Sequence, residues 1–217
     1  MAERRALVTG GTGRVGRAIA ARLEAEGFRV HAAGRSDGDL SKAADARALV
    51  ERAAAELGGL DLLVNAAGEG FLPKALEDVD EADWDAAFGA TAKGSFFVTQ
   101  AAAPHLRSSE LGLVVMIEDV AAYQPWPSFA PHSAAKAAQA MLTRVLARAL
   151  APEVRVCGIA PGPVAVERGQ EERRAAETLL GRIGSPEDVA AAVSYLVNAP
   201  FVTGTSLVVD GGRLLKP

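Results

Sequence analysis

The residues of this chain best able to do chemistry fall in two places. The first is the run Gly10, Gly11, Thr12, Gly13, Arg14, Val15 and Gly16, in which Gly11, Gly13 and Gly16 fit G-x-G-x-x-G between a β-type run and a helical pattern. Glycines there permit a tight turn and let backbone approach a pyrophosphate, which then sits at the positive end of the following helix. No acidic residue ends the second β-type run to accept hydrogen bonds from a ribose. Arg35 and Ser36 stand there instead, and Arg14 lies in the glycine run. Two guanidiniums near an adenosine ribose favour a 2′-phosphate, so the expected cofactor is NADP(H), with NAD(H) as the alternative. The second place is His132-Ser-Ala-Ala-Lys136, where a spacing of four on a helix turns an imidazole and an ammonium toward one site.

These groups need a scaffold, and the pattern supplies one. β-type runs at 6–10, 28–34, 60–68, 112–119, 154–161 and 206–212 alternate with helical patterns near 14–26, 42–57, 80–102, 131–150 and 186–198. That alternation predicts an α/β fold of Rossmann type, a doubly wound parallel sheet with helices on both faces. No linker or repeat divides the 217 residues, so a single domain spanning 1–217 is expected. A net charge of −4 with dispersed basic residues argues against nucleic acid as a partner. No apolar run approaches the roughly 18 residues of a membrane span, and the first strand begins too early for a secretory leader, so a cytoplasmic protein is expected. The one cysteine, Cys157, reads as a buried strand residue, and no metal site is expected.

Along its whole length the chain resembles the short-chain dehydrogenase/reductase family. The marks are TGGTGRVG, LDLLVNAAG, HSAAK, IAPGPV, RIGSPEDVA and VTGTSLVVDGG. Within the family it is most similar to the pteridine reductase branch, through Arg14 in the glycine loop, Asp119 thirteen residues before His132, and the stretches AYQPWP and LAPEVRV. The resemblance implies further cofactor contacts from Asn65, Ala66, Ala67 and Gly68, from Pro161, Gly162 and Val164, and from Asp39 and Leu40. Lys136 is implied to bind the nicotinamide ribose. It also implies a small-molecule substrate and a homotetramer or dimer built through the helices flanking the active site and the last strand.

The departures are as informative. The family's Asn-Ser-Tyr-Lys set falls on Thr91, Asp119, His132 and Lys136, and a threonine that commonly touches the cofactor amide falls on Val166. An unperturbed imidazole titrates near 6.5, against about 10 for tyrosine. A neighbouring lysine disfavours imidazolium and a carboxylate in reach favours it, so Asp119 is what keeps His132 competent as a proton donor. Two outcomes stay open: an NADPH-dependent reductase acting on a small carbonyl or pteridine-like C=N compound, and a cofactor-binding protein without turnover. Only SDGDLSK separates Arg35 from the next helix, so the family's third strand and its preceding helix are expected to be missing. The sheet is then six-stranded, in the family order 2-1-4-5-6-7, with strand two exposed. Phe71 and Trp126 are expected to cover a flat substrate ring.

Overall fold

The structure is a computed structural model, and it describes residues 3–68, 73–164, 166 and 168–216. Six parallel strands, β1 (Arg4–Thr9), β2 (Phe28–Ala33), β3 (Leu62–Asn65), β4 (Leu113–Ile117), β5 (Arg155–Pro161) and β6 (Ser206–Val209), form one sheet in the order β2-β1-β3-β4-β5-β6. This is the expected six-stranded order, with β2 at the edge of the sheet among the described residues. The connecting helices are α1 (Arg14–Ala25), α2 (Ala43–Leu57), α3 (Glu81–Phe88), α4 (Ser95–Arg107), α5 (Ala130–Leu150), α6 (Glu171–Ala175) and α7 (Pro186–Val197).

The central strands read as unbroken apolar runs because both of their faces are covered. Successive residues divide between two cores with the period of a strand. Leu7, Leu63, Val114 and Met116 face one core with residues of α2, α4 and α5. Ala6, Val8, Leu62, Val64 and Val115 face the other with residues of α1 and α7. Cys157 is buried in β5 as expected. α7 begins on a reciprocal cap, in which the Asp188 amide donates to Ser185 Oγ and the Ser185 amide to Asp188 Oδ2.

The expected helix 80–102 is different in detail. It is α3 and α4 joined by a π-helical turn, Gly89–Gly94, and α4 runs on to Arg107. The short loop that replaces the family's third strand packs on this turn. A Cβ at Gly89 would meet Ser41 Cβ at 2.9 Å, and one at Gly94 would meet the Leu40 carbonyl at 3.0 Å. Periodicity cannot register a one-residue bulge that tertiary contact imposes.

One ion pair ties the sheet's start to its middle. Asp61 is buried before β3 and accepts from the Arg5 amide at 2.7 Å, from Arg5 Nε at 2.9 Å and from Ser109 Oγ at 2.7 Å. Burial pushes its carboxyl up, but the donors from Arg5 and Ser109 outweigh that and hold it below the ordinary aspartate value. A depressed carboxyl stabilises the fold above its unfolded pKa and loses that contribution as pH falls through the folded one. Asp61→Ala is therefore expected to cost about 3 kcal/mol at neutral pH by urea unfolding. The gap between wild type and variant should narrow below about pH 4; a gap that stays constant to pH 2 would exclude Asp61 as its source.

Candidate active site

All of the expected site residues inside the described segments lie at the carboxyl edge of the sheet or just behind it. Phe71 lies outside the described residues. The glycine loop is set by contacts that admit no side chain. Gly10 has φ +64°, and a Cβ on it would meet the Ala66 carbonyl oxygen at 2.6 Å. The loop thus lies directly against Ala66 and Ala67 at the end of β3. The Gly11 amide donates to the Ala33 carbonyl at 2.8 Å, joining the loop to β2.

α1 then starts without any provision for its own N-terminus. Gly13 offers no side-chain cap, the first turn has no acidic residue, and two cations, Arg14 and Arg17, sit in it. Unsatisfied amides and cations at the positive end of a helix are unfavourable together. They fit an anion bound there, so the loop suits a dinucleotide pyrophosphate. Thr12 lies beside Gly34, where a Cβ would come within 2.7 Å of its side chain. Exposed Arg35 and Ser36 follow directly, on the side where an adenosine ribose would reach from the loop.

Two expected cofactor residues are engaged elsewhere. Asn65 is buried, with Nδ2 donating to Thr99 Oγ1 at 3.0 Å, so only its backbone faces the edge of the sheet. Asp39 accepts from the amide and hydroxyl of Ser41 at 3.0 and 2.7 Å, hydrogen bonds that hold its carboxyl below the usual value. Leu40 packs partly into the core beside it.

His132 and Lys136 both lie on α5, and Asp119 faces its first turn. Pro131 is the second residue of α5, with His132 following it in the first turn and Lys136 one turn on. His132 Nε2 lies 3.6 Å from Asp119 Oδ2, an ion-pair distance longer than a hydrogen bond, while Asp119 Oδ1 accepts from the Ala121 amide at 2.7 Å. Lys136 is buried, and its Nζ donates to the Ile117 carbonyl at 2.8 Å and to Gln139 Oε1 at 3.1 Å. Burial lowers its pKa, opposed by Asp119 and then Glu118. Thr91, within the π-helical turn, is buried with its hydroxyl 3.5 Å from where a Gly68 Cβ would be.

A cavity of about 660 Å³ opens beside His132 and Asp119. Arg14, Trp126, Phe129, Gly162, Val164 and Val166 also line it. Pro161 ends β5, and Gly162 permits the chain to pass Asp210, whose Cα a Cβ would meet at 2.7 Å. Arg14 reaches the Val166 carbonyl at 3.2 Å. Trp126 lines the cavity as expected, but the Arg213 guanidinium lies 4.9 Å from its ring centroid.

Comparison with known proteins agrees with this fold. A family model described as enoyl-(acyl carrier protein) reductase matches residues 32–213. A 3beta-hydroxysteroid dehydrogenase from Eggerthella lenta is 35% identical over 97% of this chain and 96% of its own length. A short-chain dehydrogenase from Burkholderia cenocepacia, solved in complex with NADP, has a TM-score of 0.90 at 31% identity and 98% coverage of both chains. The chain belongs to the short-chain dehydrogenase/reductase family. Another member, a 4-formylbenzenesulfonate dehydrogenase from Comamonas testosteroni, is 35% identical over 96% of both chains.

Reading the sequence as a short-chain dehydrogenase/reductase misses two groups of site residues. Glu118 is buried next to Asp119 and accepts from Thr143 at 2.7 Å and from Ser206 and Tyr123 at 3.0 Å each. Gly158 makes room for it, since a Cβ there would lie 2.0 Å from Oε1. An acid ending an otherwise apolar strand run was the available signal. The second group is Arg173, Arg174, Glu177 and Arg213. The stretch EERRAAE resembles the family's short substrate loop and helix, but nothing in it signals that Arg213, from the C-terminal turn, closes on it.

Proposed function

We propose that the protein is an NADP(H)-dependent reductase of a small carbonyl or pteridine-like C=N compound, in which Asp119, His132 and Lys136 replace the family's Ser, Tyr and Lys. The observation that carries this is the uncapped, cationic start of α1 opening onto the same cavity as His132 and Asp119. A nicotinamide dinucleotide held by the glycine loop and Lys136 would supply the hydride chemistry. His132 faces the cavity and delivers the proton to the heteroatom, with Asp119 stabilising its charged form. Lys136, buried behind them, contributes fixed positive charge and a donor toward the cofactor ribose. Arg14 and Arg35 favour NADPH over NADH. The substrate is not set by family membership, since the names of its relatives span a steroid and a sulfonated aromatic aldehyde. Association into a homo-oligomer accords with exposed Met141 and Val145 on α5 and Leu215 near the C-terminus.

A second reading, cofactor binding without turnover, draws on one measurement: at 3.6 Å His132 and Asp119 are not hydrogen-bonded. Titration of wild type and His132→Tyr with NADPH and NADH, with reduction of pterins, quinones and aldehydes recorded alongside, separates the two. The expected result is NADPH binding at least about tenfold tighter than NADH, turnover by wild type, and slower turnover by the variant. Turnover by the tyrosine variant alone would establish the second reading. Binding of neither nucleotide would refute both.

A further inference from the structure

One side of the cavity is built from three arginines that, among the described residues, converge on a single carboxylate. Arg173 and Arg174 come from α6, and Arg213 comes from the turn after β6. That turn is fixed by Asp210, whose carboxylate accepts from the Gly212 amide at 2.7 Å and the Leu214 amide at 2.8 Å. All three guanidiniums converge on Glu177: Arg174 at 3.1 Å, Arg173 at 4.0 Å, and Arg213 in direct contact. Among the described residues Glu177 is the carboxylate that all three contact, with Asp119 acting on Arg213 from further away.

Arg213 is the least exposed of them. Its side chain is only 12% exposed, and its Nε is buried with no acceptor among the described residues. Burial lowers its pKa, Arg174 adds to that, and Asp119 opposes it. Desolvating a cation without matching charge is expensive, and the cost falls where an anion completes the site. The same cavity offers Trp126, Phe129 and Pro73 as apolar surface. Together these walls suit a flat ring carrying an anionic group.

We infer that the substrate is a planar carbonyl compound bearing a carboxylate or sulfonate, its anionic group held by Arg174 and Arg213 and its ring against Trp126 and Phe129. This rests on the reductase reading for the identity of the reacting group, but the anion site itself does not. Arginine's planar fork matches both oxyanions in two-point contact. The cofactor's pyrophosphate has its own seat at the start of α1, which leaves this wall for the substrate.

The test is calorimetric titration of the full-length protein with a panel of aromatic carboxylates, 4-formylbenzoate among them, each against its neutral methyl ester. It is run without nucleotide and with saturating NADP+, where no reduction occurs. Expected is a preference for the acid of at least about tenfold in wild type, maintained with NADP+ bound. The preference should fall to about twofold or less in Arg174→Gln and Arg213→Gln, and rise in Glu177→Gln, which removes the shared counter-charge. Arg174 is the more exposed of the pair, so its variant keeps the test decisive if Arg213→Gln unfolds on melting. Equal affinity for acids and esters across the panel, or no binding of either, would overturn the inference. So would acid binding abolished by NADP+, because the wall would then serve a cofactor phosphate. Failure of NADP+ to bind would refute the reductase reading, while the comparison without nucleotide would still decide this one.

Discussion

Lys136→Met is expected to lower kcat/KM for carbonyl reduction by at least about a hundredfold. Methionine matches the aliphatic stem, so the substitution isolates the charge and its donors. Two of the three ammonium protons are engaged, on the Ile117 carbonyl and on Gln139 Oε1, and Gln139 in turn donates to Ser95 Oγ at 2.9 Å. The lysine is therefore held rigidly, with one proton left to meet a ligand. Removing it leaves the buried Ile117 carbonyl without that donor and removes a positive charge coupled to Asp119 and Glu118, at a stability cost of about 1–3 kcal/mol. Lys136→Arg should not rescue activity, since the slot is shaped for a compact ammonium. Steady-state kinetics with melting curves decide the matter. Wild-type turnover in the methionine variant would reduce Lys136 to a structural role.

Gly16→Ala is expected to weaken NADPH binding by at least about a hundredfold, or to prevent folding altogether. A Cβ at this buried position would lie 2.2 Å from the Gly10 carbonyl oxygen, and 2.9 Å from the Gly11 Cα. The obstacle is backbone on backbone, so no side chain can move aside. The whole loop must open, and with it the path of amides at the start of α1. Gly13→Ala provides the graded control, because its Cβ would meet only the Gly10 carbonyl, at 3.2 Å. Fluorescence titration should therefore rank the variants wild type, Gly13→Ala, Gly16→Ala in falling affinity. Equal affinity in all three would remove the glycine loop from the nucleotide site.

What the sequence made legible follows from how local each signal is. The strands and the glycine turn rest on periodicity and fixed spacing, and the structure has both in place. The missing edge strand was legible because a gap of seven residues cannot hold a helix and a strand. The inward turn of Asn65 was not, since it depends on Thr99 from a different element. Nor was the π-helical turn around Thr91, which reflects packing of Leu40 and Ser41 against two glycines. The arginine wall joins residues from α6 to the last turn of the chain, and no window of sequence holds both. Charged runs look alike in sequence whether they face water or a cavity.

The bare edge of the sheet has a use of its own. β2 has a single neighbour, and the Gly11 amide holds the end of that strand through the Ala33 carbonyl. Fraying of the edge and loosening of the nucleotide loop are therefore one event seen from two sides. The outer amides of β2, free of any further strand, become a built-in gauge of occupancy. Deuterium uptake along 28–33 should slow when the loop is filled, with no label attached and no turnover needed.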